Sequence, residues 1–109
     1  MASPLNTFIT VARNVTTTLT QIYQAPAETT SIVLLAQATN VDPAFTASIT
    51  FITRISGADY ELVSNFPIPN NDAAALLSGK LVIQSGDSVW CEASYMDRLK
   101  ITLSILETT

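Results

Sequence analysis

The chain has 109 residues, nine acidic and five basic, for a net charge of −4, which is length for one domain. Hydrophobic residues make up 48% and charged residues 13%; so few charges beside so much apolar surface argue against intrinsic disorder. The acidic balance likewise argues against nucleic acid or an anionic membrane as partner, since both need clustered Lys and Arg.

There is no histidine and one cysteine, Cys91. An internal disulfide is therefore impossible, and ordinary His- or Cys-based metal sites and triads lack their parts. Met1-Ala2-Ser3-Pro4-Leu5-Asn6 carries neither a basic n-region nor a long apolar h-region, and the longest apolar run, Ile32 to Ala36, is far shorter than a membrane helix. These features predict a soluble protein made in the cytoplasm. Residues 1–10 mix Pro4 with Leu5, Phe8 and Ile9. They suit either an arm that adds a strand to a neighbour or an edge strand of the chain's own sheet. Asn14-Val15-Thr16 is formally a glycosylation sequon, expected to be unmodified in a chain without a secretion signal.

Period two dominates the rest of the chain. Segment 15–23 sets Val15, Leu19 and Tyr23 against Thr16, Thr18 and Thr20. Segment 30–41 is apolar on both faces at its centre, which predicts cover on both sides, by a second sheet and by a neighbouring subunit. In 45–55, Phe45, Ala47, Ile49, Phe51 and Ile55 oppose Thr46, Ser48, Thr50 and Arg54. Residues 59–68 put Tyr60, Leu62, Phe66 and Ile68 on one parity. Segments 80–84 and 88–95 follow, the latter setting Val89, Cys91, Ala93 and Tyr95 against Ser88, Trp90, Glu92 and Ser94. The last, 98–107, opposes Leu99, Ile101, Leu103 and Ile105 to Arg98, Lys100, Thr102 and Ser104. One stretch departs from the pattern. Asp72 is a good N-cap and Gly79 a good C′ residue, so 72–78 is expected to hold a short helical turn.

Turn chemistry at 25–27, 42–43, 56–59, 67–72, 78–79, 85–87 and 96–97 punctuates the chain every 8–12 residues or so. The expected fold is all-β: an antiparallel β-sandwich, jelly-roll or Ig-like, of seven to eight short strands in a single domain over 1–109.

Catalysis would have to rest on carboxylates. Asp42, Asp59, Asp72, Asp87 and Asp97 all fall in turns, where Asp bonds its own backbone. Glu92 shares a face with Trp90 but has no second carboxylate at a defined distance. Cys91 stands on the apolar parity and reads as a core residue. The turns at Gly79 and Gly86 lack the pattern of a phosphate loop. Pro69-Asn70-Asn71-Asp72 lacks the ligand spacing of a calcium loop. No catalytic, cofactor or metal residue is assigned, and the chain is expected not to be an enzyme. What remains is surface. Trp90, Ile52, Val82 and Leu106 are apolar residues on otherwise polar faces, and Val33 and Leu35 stand on the opposite parity to Ile32, Leu34 and Ala36. With Leu5, Phe8 and Ile9 they form the predicted interface set, of the kind that marks protein contacts.

The order of these pieces is similar to small structural proteins of tailed bacteriophages. The resemblance is carried by Val11 to Ala27, with its Tyr23-Gln24-Ala25-Pro26 segment leading into a hydrophobic strand that ends at Asn40-Val41. A late Gly86-Asp87-Ser88-Val89 turn then precedes the last two strands. It implies a virion β-sandwich with no enzymatic activity, and it transfers no site residue. A capsid decoration (cement) protein is the role that fits this size, acting as a homo-oligomer, a trimer or other small ring, against the major capsid protein. A tail, neck or baseplate accessory is the alternative, with tail or neck proteins as partners. A carbohydrate-binding adhesion module is a further one, poorly supplied with its single Trp.

Overall fold

The computed structural model describes residues 6–109; Leu5 and the first residues of the predicted arm lie outside them. Among the described residues nine strands follow in chain order: β1 (Asn6–Asn14), β2 (Thr20–Gln24), β3 (Thr30–Asn40), β4 (Ala47–Ile55), β5 (Ala58–Ile68), β6 (Ala73–Ala75), β7 (Leu81–Ile83), β8 (Ser88–Ala93) and β9 (Leu99–Thr108). They form two antiparallel sheets. One has the order β1-β9-β3-β6, with β7 also paired to β3, and the other has the order β2-β8-β4-β5. The two short strands β6 and β7 occupy successive lengths of the same β3 edge. Counted together they give four strands facing four, in jelly-roll rather than Ig-like order.

Alternation explains the core. On β9, Leu99, Ile101, Leu103 and Ile105 are all at most 1% exposed, as the period-two pattern predicts. Val89, Cys91 and Ala93 on β8 and Ala47, Ile49 and Phe51 on β4 meet them from the other sheet. Phe45 and Ile55, at the ends of the β4 pattern, and Tyr95, beyond β8, are exposed instead. They lie where one sheet no longer covers the other.

Segment 15–23 is not one strand. Val15 is buried in the corner between β1 and β2, with its N–H donating to the Leu99 carbonyl at 2.9 Å. The helical turn expected at 72–78 is also absent, and no helix occurs among the described residues. Asp72 Oδ1 accepts the N–H of its immediate neighbour Ala73 rather than, as a helix cap would, an N–H two or three residues on. The following residues pair with β3 (Ala73 with Thr39, Ala74 with Ala38, Ala75 with Gln37), and Leu76 donates to the Ala36 carbonyl. A free sheet edge satisfies those backbone groups in place of an isolated turn, whose nucleation is unfavourable.

The parity read for 59–68 is broken at Leu62: Tyr60, Phe66 and Ile68 lie opposite Thr53, Ile49 and Ala47 on the core-facing side of β4, but only Ile68 is buried. The β4–β5 hairpin turns at Ser56-Gly57, both with positive φ, as a tight hairpin requires. Its register then slips twice: Phe66 lies opposite Ile49, Val63 opposite Phe51, and Glu61 opposite Ile52. Each slip inserts one extra residue on β5, and at the first of them Asn65 adopts φ 47° and donates its N–H to Thr50 Oγ1. Val63 thereby packs on the core, while Tyr60, Leu62 and Phe66 stay exposed.

Candidate interaction face

The outer face of the β1-β9-β3 sheet gathers residues that lie far apart in sequence. Phe8 on β1 is opposite Leu106 on β9, Leu106 is opposite Ile32 on β3, and Ile32 is opposite Val82 on β7. These four side chains make one apolar row across four strands. Phe8 is 73% and Val82 56% exposed, with Leu106 and Ile32 half-buried between them. The adjacent row is Thr10, Ser104 and Leu35, and Leu35 is 41% exposed. The next is Ala12, Thr102, Gln37 and Ala75; Lys100 is the first charge reached, one row further on. An apolar and hydroxylated face of this kind desolvates more cheaply than one lined with Lys and Glu.

Of the predicted interface set, Phe8, Leu35, Val82 and Leu106 are brought together here. Val33 is not. It is 0% exposed and faces the core, because β3 bulges between Val33 (opposite Ile105) and Leu35 (opposite Ser104). One extra residue, Leu34, turns two side chains of equal parity to opposite faces. Ile32, which is not in the predicted set, lies on the outer row opposite Leu106. The sole hint in the sequence was that this strand is apolar on both faces. Ile9 points inward, opposite Ile105, and packs half-buried against the core.

Ile52 and Trp90 lie on the outer face of the other sheet, opposite one another, in a row that runs Gln21, Trp90, Ile52, Glu61. Ile52 is only 3% exposed and is therefore not a surface residue. Trp90 covers one flank of it. The indole is itself held in place: Nε1–H donates to Ser88 Oγ at 2.8 Å, and the Arg54 guanidinium stacks 4.0 Å from the ring centroid. Arg54 in turn is paired with Asp59, which holds the Asp59 carboxyl below its ordinary range.

The other candidates take structural places. Cys91 is 1% exposed, and burial pushes its thiol up to about 12, so it stays protonated and unreactive. Asp42 Oδ1 accepts the N–H groups of Ala44 and Phe45, which lower its pKa. Arg98 approaches Asp42 at 3.3 Å and stacks on Tyr95. Asn70 donates to the Pro43 carbonyl. Between the sheets Tyr23 hydroxyl meets both Ser31 and the Glu107 carboxylate, and burial with that carboxylate beside it raises Tyr23 to about 12. No group of three or more potential metal ligands occurs among the described residues.

No protein-family profile and no curated protein matches the sequence. Solved structures do match the fold. A chain of the acid-stable capsid of Helicobacter pylori bacteriophage KHP30 is similar over 98% of this chain and 92% of its own, with TM-score 0.56 and 8% identity. A chain of the Bacillus endospore appendages, a family of disulfide-linked pili, is similar over 97% of this chain and 87% of its own, with TM-score 0.56 and 11% identity. At such identities the likeness is one of fold. One neighbour comes from a phage capsid and the other from a pilus.

Proposed function

We propose that this chain is a non-enzymatic structural subunit of a bacteriophage particle, a decoration protein that binds the outside of the capsid shell and braces neighbouring copies of the major capsid protein. The observation that carries the reading is the charge-poor apolar row Phe8, Leu106, Ile32, Val82, which the fold leaves without a covering layer among the described residues. The phage-capsid fold neighbour, aligned over almost the whole chain, supports it. The mechanism is physical. Each copy offers a modest contact, and a homo-oligomer multiplies that contact by its valence, so weak single sites become durable attachment.

The test is binding of purified protein to capsids stripped of it, with copy number in intact particles measured by quantitative mass spectrometry. Several hundred copies, and loss of binding by the double variant Phe8→Ser/Val82→Ser, are the expected results. Roughly six, twelve or a few dozen copies would move the chain to the tail or neck, where small closed rings are the rule. Absence from particles would overturn the virion reading. The pilus neighbour favours a second reading, a filament subunit, which electron microscopy of the concentrated protein would reveal as polymers.

A further inference from the structure

Among the described residues, the β1 edge is the place where the sheets are least protected against another strand. The remaining edges are all blunted. β5 carries two register slips and Pro67, β2 has five residues and a slip of its own, and β6 and β7 have three residues each. Such bulges, prolines and short lengths are how proteins keep edges from pairing. β1 has none of them. It runs nine residues in unbroken register with β9, has no proline, and carries a single charge, Arg13.

Its sequence is also matched to itself. Laid antiparallel on a second copy about Thr10, Asn6 faces Asn14, Thr7 faces Arg13, Phe8 faces Ala12, Ile9 faces Val11, and Thr10 faces its own counterpart. All nine residues are then paired and no like charges oppose. Ile9 and Val11, the half-buried border of the core, cover each other across the axis. Shifting the centre to Val11 would set Arg13 against Ile9, and shifting it to Ile9 would leave two residues unpaired. A two-fold axis through the sheet keeps outer face with outer face, so the apolar rows of both copies become one surface.

We infer that two copies of this chain join β1 to β1 in antiparallel register centred on Thr10, making one sheet continuous through both. Antiparallel self-pairing of an edge admits only a two-fold axis, so the threefold or ring implied by the phage resemblance would need further contacts built from such pairs.

The full-length chain should sediment with twice its 11.7 kDa mass, or as a larger assembly of pairs. Thr10 is exposed in the single chain, so its replacement leaves the fold intact, which far-ultraviolet circular dichroism would check. Thr10→Lys and Thr10→Glu should each abolish the pair by placing like charges face to face, and a mixture of the two should restore it. Thr10→Cys should cross-link into dimers under mild oxidation. Ala12→Cys should not, because its counterpart lies some four residues along the strand, beyond disulfide reach. A wild-type chain that stays monomeric at high concentration overturns the pairing, as does an oligomer that survives Thr10→Lys or cross-links at 12 and not at 10. These results are separable from the virion reading. A monomer that still coats capsids sinks the pairing alone, and a Thr10-centred dimer missing from particles sinks the virion reading alone.

Discussion

Trp90 offers the sharpest test of the distinction between a side chain that binds a partner and one that covers its own sheet. Truncation to alanine removes the half-buried indole from Ile52, about 100 Å² of apolar cover and thus about 2.5 kcal/mol. It also removes the cation–π stack with Arg54, worth about 0.5–1 kcal/mol, and leaves the buried Ser88 hydroxyl short of its donor, worth about 1 kcal/mol. Water entering the shallow site offsets part of this. Trp90→Ala is therefore expected to destabilise the fold by about 3–4 kcal/mol, which for a chain of this size lowers Tm by at least about 12 °C. The assay is urea and thermal unfolding followed by far-ultraviolet circular dichroism, because Trp90 is the chain's single tryptophan and its loss removes the fluorescent probe. A double-mutant cycle with Arg54→Ala should return a coupling of about 0.5–1 kcal/mol. A loss below about 1 kcal/mol for Trp90→Ala, with no coupling to Arg54, would refute the covering role. Should capsid binding vanish at the same time, Trp90 would return to the interface.

Three further outcomes follow from the same structure. Asn40 is fully buried at the end of β3, where Nδ2 donates to the carbonyls of Phe45 and Ile68 and Oδ1 accepts the Asp42 N–H. Asn40→Ala should cost about 2–4 kcal/mol by removing the side-chain partner of all three groups, and an unchanged urea midpoint would contradict it. Stability should also fall in alkali. Cys91 and Tyr23 are both raised to about 12, from 9 and 10. The unfolded chain therefore gives up these protons first, and stability present below pH 9 is lost as pH rises toward 12. Urea midpoints between pH 8 and 11 would show it, with Cys91→Val delaying the onset to about pH 10, where tyrosine begins to titrate; an identical onset in both proteins would contradict it. Gly57, at φ 84° in the hairpin turn with open space around it, should cost about 1–2 kcal/mol when replaced by alanine, through backbone strain alone; a midpoint equal to wild type would exclude that strain.

The core of β9 was legible in the sequence, as were the turns at 25–27, 56–59 and 85–87, because alternation and turn chemistry are local properties. The same is true of Cys91, an apolar-parity residue that the fold buries. The interaction face was legible only in fragments. Val82, Leu35 and Leu106 could each be recognised as apolar residues out of place, and Phe8 as part of a mixed N-terminal segment, but nothing local says that they meet.

What the sequence determined by itself was an all-β chain with hydroxylated outer faces and few charges, since those follow from residue type and period. Tertiary structure alone decided the jelly-roll order, the β6 strand in place of a helical turn, and which side of each sheet Val33, Leu35 and Val63 occupy. The physical reason is that a single inserted residue reverses every side chain beyond it, and whether a bulge forms depends on the partner strand. A row such as Phe8, Leu106, Ile32 and Val82 exists only once four distant segments have chosen their register.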